Sequence, residues 1–243
     1  MFISPDGWLR FPRPNEHAIA RLLCFPTAGA EAFVYDYWAA FLPESIELCS
    51  IELPNRGSES ETEQYKELSA MIAALAESIL RHSRQGQKLI FYGFCLGAFW
   101  AYEVACYLRG HAGLQPVQLI VAGFPAPHLR STITLQMRTT AYRQLMTSYY
   151  PPGTPQHNYV LARFPSMIED ADLADQYAPP LETPLHCPLT VIGGWQDQFV
   201  KAEHFWSWQQ YTTGNFRVQM FEGDHFFADG YQREFLQALT EWL

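Results

Sequence analysis

The 243-residue chain contains no stretch of about eighteen uninterrupted apolar residues, which leaves no candidate membrane span. It is poor in basic residues, with 16 Lys and Arg against 25 Asp and Glu and a formal net charge of −9. Nucleic acid and anionic membrane both call for a basic face, so neither is expected as a partner. Cysteine is scarce and unpatterned. The five residues at positions 24, 49, 95, 106 and 187 are odd in number and show no Cys-x-x-Cys spacing, which argues against a disulfide framework and against a zinc site. Nothing in the sequence calls for a metal or another cofactor. The amino terminus, Met1-Phe2-Ile3-Ser4-Pro5-Asp6-Gly7, lacks both the basic and the apolar regions of a signal peptide, so a cytoplasmic location is expected. Internal repeats and low-complexity segments are also missing.

What the chain has is apolar substance. Hydrophobic residues make up 48%, enough for a substantial core, and the aromatic share of 15% points to an apolar pocket or contact surface. Short β-like runs alternate with helical patterns, which predicts a mostly parallel sheet flanked by helices. The strand candidates are Ala20–Phe25, Ile46–Leu53, Leu89–Phe94, Leu119–Phe124, Leu189–Gly193 and Phe216–Phe221. The clearest helix carries Leu68, Met71, Ile72, Leu75 and Ile79 on one face. Others are expected at Val34–Leu42, Ala98–Leu108, Glu203–Thr212 and Tyr231–Trp242. From Pro125 to His186 the alternation stops. Helical patterns at Gln136–Tyr149 and Tyr159–Tyr177 flank the turn Pro151-Pro152-Gly153. About sixty residues are too many for a simple connection and too few for a sturdy separate domain. They are expected to form a helical lid inserted into one domain spanning 1–243.

The sharpest motif is Gly93-Phe94-Cys95-Leu96-Gly97. It follows the apolar run Leu89-Ile90-Phe91-Tyr92 and opens into the helical pattern from Ala98, the strand–turn–helix setting of a nucleophile elbow. Such a turn is too tight for flanking side chains, and it holds the central residue strained with its heteroatom projecting from the sheet. The plainer reading is a buried structural cysteine beside two glycines. An elbow would be followed in chain order by an acid and then a histidine. Asp197 lies just beyond the strand Leu189–Gly193, and His225 just beyond Phe216–Phe221, both at carboxyl ends where α/β folds gather functional groups. Alone, Asp197 could be a turn cap and His225 an ordinary loop residue. Their joint placement favours a triad in which Cys95 attacks, His225 takes its proton and Asp197 orients the imidazole. Asp224 and Glu222 lie nearer His225 in sequence but point elsewhere, and the other seven histidines lack its strand-end position. An oxyanion hole would take one N–H from Leu96 and one from the loop Phe25-Pro26-Thr27-Ala28-Gly29-Ala30, at Ala28.

At this point the chain resembles the type II, editing thioesterases of nonribosomal peptide and polyketide synthesis, which are α/β-hydrolases. The matching pieces are Phe25-Pro26-Thr27-Ala28-Gly29, Leu53-Pro54-Asn55-Arg56-Gly57, the elbow, Tyr177-Ala178-Pro179-Pro180, Cys187-Pro188-Leu189-Thr190-Val191, Gly193-Gly194 with Asp197, and Asp224-His225-Phe226-Phe227. They run in family order over nearly the whole chain. The resemblance implies an α/β-hydrolase fold with a lid, and substrates held as thioesters on the phosphopantetheine arm of an acyl or peptidyl carrier protein. Three positions depart from the family pattern. Phe94 and Cys95 stand where His and Ser are usual, Asn55 replaces a glycine, and Ile168 replaces an arginine shortly before the lid aspartate that aligns with Asp170.

Two activities suit these residues. Hydrolysis would clear stalled acyl or aminoacyl groups from carriers. Transfer would pass them through Cys95 from one carrier to another carrier's thiol. A non-catalytic scaffold ranks below both, because nucleophile, acid and base keep their order.

Overall fold

The computed structural model describes residues 1–54, 65–176 and 184–227. Among these residues the sheet has eight strands: β1 (Phe2–Ile3), β2 (Leu9–Phe11), β3 (Ala20–Phe25), β4 (Ile46–Ile51), β5 (Lys88–Phe94), β6 (Gln118–Ala122), β7 (Leu189–Gly194) and β8 (Phe216–Phe221). Their order across the sheet is β1-β2-β4-β3-β5-β6-β7-β8. The strands from β4 to β8 are parallel, and β1 and β2 add an antiparallel edge. This is the expected α/β-hydrolase arrangement.

The six strands read from the sequence are all present, because central parallel strands buried on both faces read as near-continuous apolar runs. Several expectations need correction. The strand at 46–53 stops at Ile51, and beyond it the N–H of Glu52 turns to the carbonyl of Trp8. The helix expected at 34–42 is a 3-10 segment, Ala32–Ala40. Its buried residues Ala32, Tyr35, Trp38 and Ala39 are spaced in a way that fits three residues per turn as well as 3.6. The two edge strands went unread because two and three residues are too short to display alternation.

The helices are α1 (Leu68–His82), α2 (Leu96–Ala112), α3 (Ser131–Met137), α4 (Thr140–Ser148), α5 (Pro155–Asp175) and α6 (Ala202–Trp206). The stripe Leu68, Met71, Ile72, Leu75 and Ile79 is buried as its spacing predicts, each such side chain contributing about 1.5–3 kcal/mol by leaving water. The pattern at 136–149 is split, because Thr139 starts a new helix by accepting the N–H of Tyr142 on its side chain (3.1 Å). The run 203–212 also divides, into α6 and a 3-10 turn, Ser207–Tyr211. Asn55-Arg56-Gly57, Tyr177-Ala178-Pro179-Pro180 and the helix expected at Tyr231–Trp242 lie outside the described residues.

Alternation along the strands divides the core. Leu23, Phe25 and Phe91 pack with α1 and α2, while Leu22, Cys24, Ile90 and Tyr92 pack with the 3-10 segment. One consequence of strand order positions the site. From β3 the chain passes to β4 on one side, and β5 lies on the other. The loops after β3 and β5 therefore diverge and leave a crevice at their carboxyl ends, the usual ligand position in open α/β sheets. Those loops are the 26–31 segment and the elbow.

Candidate active site

Cys95 has φ 52° and ψ −128°, the one positive φ outside glycine among the described residues. Its N–H is tied to the carbonyl of Ala122 at 2.8 Å, and the next residue begins α2. Such backbone strain costs on the order of 1–3 kcal/mol and persists only where the surroundings enforce it. The flanking glycines are what make the turn possible. A Cβ on Gly93 would collide with the carbonyl of Gly97, and one on Gly97 with the carbonyls of Phe25 and Pro26.

His225 Nδ1 lies 2.8 Å from Asp197 Oδ2, with both side chains almost fully buried. Asp197 also does what the plainer reading asked of it, since its Oδ1 accepts the N–H groups of Phe199 (2.8 Å) and Val200 (3.0 Å). Nε2 of His225 is buried and makes no directed hydrogen bond among the described residues. Cys95 is the polar neighbour that acts on it. Burial alone would push the imidazole down. The charge and hydrogen bond of Asp197, joined by the nearby Cys95 sulfur, overcome it and lift His225 to about 10. The aspartate–histidine link is thus made, while the cysteine stands beside the ring without an aligned bond. Asp224 and Glu222 are engaged elsewhere. Asp224 accepts from Tyr149 Oη (2.9 Å) and from the N–H of Phe226, and Glu222 accepts from Gln196 Nε2.

The remaining cysteines are structural. Burial raises Cys24 well above the ordinary thiol range and pushes Cys49 and Cys106 up to about 12 and Cys187 to about 11. Among the described residues no cluster of three or more His, Cys, Asp or Glu could hold a metal ion, and no helix is long and apolar enough to cross a membrane.

Leu96 is the first residue of α2, so its N–H belongs to the four that have no intrahelical acceptor. Ala28 sits in the turn after β3, closed by the N–H of Ala30 on the carbonyl of Thr27 (3.0 Å). A cavity of about 900 Å³ opens beside these groups. One wall is aromatic, with Phe33, Tyr35, Tyr37 and Trp38 from the 3-10 segment and Tyr92 from β5, and α4 and α5 close it with Met146, Val160, Arg163 and Met167. Ala28, Phe94 and Phe226 form the end nearest the elbow, whereas Cys95 itself is only 2% exposed. The Phe94 ring, where the family pattern has histidine, lies 5.2 Å from the His225 ring.

Two residues contribute in ways the sequence does not signal. Tyr142 of α4 is buried, its ring 4.9 Å from Phe199, and burial together with the charges of Cys95 and Asp197 raises its hydroxyl. Asp170 of α5 accepts the N–H of Gly29 at 2.7 Å. Tyr142 has no motif of its own, and Asp170, which aligns with the family's lid aspartate, is brought to the turn only by the tertiary fold.

The model of the thioesterase domain matches residues 20–243. The chain belongs to the thioesterase family. Its activity is that of a thioester hydrolase. The thioesterase is 32% identical over 249 residues to linear gramicidin dehydrogenase LgrE of Brevibacillus parabrevis, covering 99% of this chain and 94% of that one. It is 26% identical to thioesterase PikA5 of Streptomyces venezuelae, covering 97% and 85%. Among solved structures it superimposes on RedJ, a thioesterase of the prodiginine pathway in Streptomyces coelicolor, with a TM-score of 0.81, 30% identity and 96% and 92% of the two chains.

Proposed function

We propose that this thioesterase is of the type II kind. It clears acyl or aminoacyl groups from the phosphopantetheine arm of acyl or peptidyl carrier proteins in nonribosomal peptide or polyketide synthesis. Cys95, His225 and Asp197 act as nucleophile, base and orienter, and the N–H groups of Ala28 and Leu96 receive the oxyanion. The observation that carries this reading is the buried His225–Asp197 pair standing beside a strained elbow thiol at the crevice between β3 and β5. The antibiotic-pathway names of the relatives support the carrier-bound substrate. The dehydrogenase name of the Brevibacillus relative has no echo here, because the chain lacks a Gly-x-Gly-x-x-Gly nucleotide loop.

The sulfur of Cys95, its proton held by His225, attacks the thioester carbonyl carbon. The tetrahedral oxyanion collapses, the carbon–sulfur bond to the pantetheine arm breaks, and His225 returns a proton to that leaving thiol. Water then attacks the new thioester on Cys95 while His225 takes its proton. Collapse releases the free acid and restores the thiol. Helices α3 to α5 serve as the lid, and the aromatic cavity they close receives the acyl chain.

The test is a carrier protein loaded with a simple acyl group and followed by intact mass. The protein should release free acid, and Cys95→Ala should abolish release while still binding the carrier. Undiminished release by Cys95→Ala would overturn the assignment.

A further inference from the structure

We propose that Asp170, on the lid helix α5, is a positioning residue that sets the oxyanion-hole turn, so that docking of the lid completes the catalytic site. The proposal rests on the thioesterase reading above and extends it to a residue 141 positions away from the turn.

The turn is Thr27-Ala28-Gly29-Ala30. Its closing bond runs from the N–H of Ala30 to the carbonyl of Thr27 (3.0 Å), and Gly29, its third residue, has φ +72°. A positive φ at that position is the mark of a type II turn, which differs from type I mainly by a flip of the central peptide. That central peptide joins Ala28 to Gly29, and its N–H is the group that Asp170 Oδ2 accepts at 2.7 Å. Asp170 is itself buried, 3% exposed, and a charge-assisted bond of that length in such surroundings is a strong one. It therefore holds the peptide in the type II orientation and opposes the flip.

The effect reaches the N–H of Ala28 by peptide geometry. Thr27 carbonyl and Ala28 N–H belong to one trans peptide and point in opposite directions. With the carbonyl drawn into the turn by Ala30, the N–H of Ala28 is directed outward, on the residue that lines the cavity. Further contacts from the lid support the same segment. Arg163 pairs with Glu31, Tyr159 Oη accepts the N–H of Glu31 (3.2 Å), and a Cβ on Gly29 would stand 2.8 Å from the carbonyl oxygen of Arg163. Backbone thus meets backbone where α5 crosses the turn.

The test compares wild type, Asp170→Ala and Asp170→Asn on an acyl-pantetheine thioester. Asparagine keeps an oxygen that can accept the Gly29 N–H. A misdirected oxyanion donor should cost Asp170→Ala about 10- to 100-fold in kcat with KM nearly unchanged, and Asp170→Asn should recover most of that loss. A trifluoromethyl ketone on a pantetheine scaffold, which forms an oxyanion when Cys95 adds to it, should weaken by the same factor. The matching thioether, which forms none, should bind as before. Hydrogen exchange at residues 27–31 should quicken in Asp170→Ala and stay slow in Asp170→Asn. A loss confined to KM, equal weakening of ketone and thioether, or unchanged exchange at 27–31 in Asp170→Ala would overturn the proposal. Wild-type protein inactive on every thioester would overturn the functional reading instead. In that event the ketone-to-thioether ratio and the exchange rates still decide the role of Asp170.

Discussion

The carboxylate of Asp197 divides its two oxygens between His225 and the backbone: Oδ2 meets Nδ1 of the imidazole at 2.8 Å, and Oδ1 gathers the N–H groups of Phe199 and Val200. The turn it caps therefore fixes the carboxylate that fixes the imidazole. Capping and orienting are one arrangement here, and side-chain replacements can separate them.

Asp197→Asn keeps an oxygen for the turn but places an amide against His225, which favours the wrong tautomer. The expected result is a fall in kcat of roughly 10³- to 10⁴-fold with the capped turn kept. Asp197→Ala should lose the activity and also about 1 kcal/mol or more of stability, because the turn loses its acceptor. Steady-state kinetics and urea titration of the two variants measure the difference.

The pH dependence of stability follows from the imidazole. His225 is raised from 6.5 to about 10 by Asp197 and Cys95 against the opposing effect of burial. A raised value means that the folded protein holds a proton the unfolded chain has lost. The resulting stabilisation is complete below about pH 6.5 and disappears as pH rises through about 10. The gap in melting temperature between wild type and Asp197→Asn should be widest near pH 6 and should narrow steadily toward pH 10. A gap that widens with pH would contradict the pairing.

Much of this arrangement was legible in the sequence because its elements are local. The elbow announces itself by two glycines around a central residue, and Asp197 and His225 by their place just past apolar runs. Parallel strands in the middle of a sheet leave the plainest trace of all. What was not legible depends on distant contacts. Asp170 meets Gly29 across 141 residues, and no spacing signals it as a partner. Tyr142 reads as one aromatic among many until α4 lays it against Phe199. The 3-10 segment was misread because Tyr35 and Trp38, three residues apart, fit a helical period as well as a tighter one.

At the opposite end of β3 from the turn, Arg21 and Glu47 form a buried ion pair, with Arg21 Nη2 2.8 Å from Glu47 Oε2. The guanidinium also donates to the carbonyl of His82 (2.7 Å), and Glu47 Oε1 accepts the N–H of Asn15 (2.8 Å). Glu47→Ala leaves the guanidinium buried without its counter-charge and should cost about 3–5 kcal/mol. Glu47→Gln, which keeps one acceptor oxygen for the guanidinium and loses the other, should cost less. Chemical denaturation measures both, and kcat per folded molecule should be unaffected because the pair sits at the amino ends of the strands.

In the proposed mechanism the atom that bears the acyl group sets how the acyl-enzyme partitions between water and thiols. On serine the intermediate would be an oxygen ester, more stable than the incoming thioester, so its return to a thiol runs uphill and water is the ready exit. On Cys95 the proposed intermediate would be another thioester, and its exchange with a carrier thiol would be nearly balanced. The site around it is apolar, with Phe94, Phe199 and Phe226 packed about His225, and the thiol is almost fully covered. Cys95→Ser should therefore shift the products. Given one loaded carrier and one empty carrier, the native protein should move some acyl to the second carrier in addition to releasing acid. The serine variant should release acid with far less transfer, at whatever rate it turns over. Intact-mass spectrometry of both carriers, with quantitation of free acid, gives the partition ratio directly. Equal ratios in the two proteins would mean that water access, rather than the atom bearing the acyl group, controls the fate of the intermediate. If nearly all the acyl reached the second carrier, the biological reaction would be transfer carried out in a hydrolase fold.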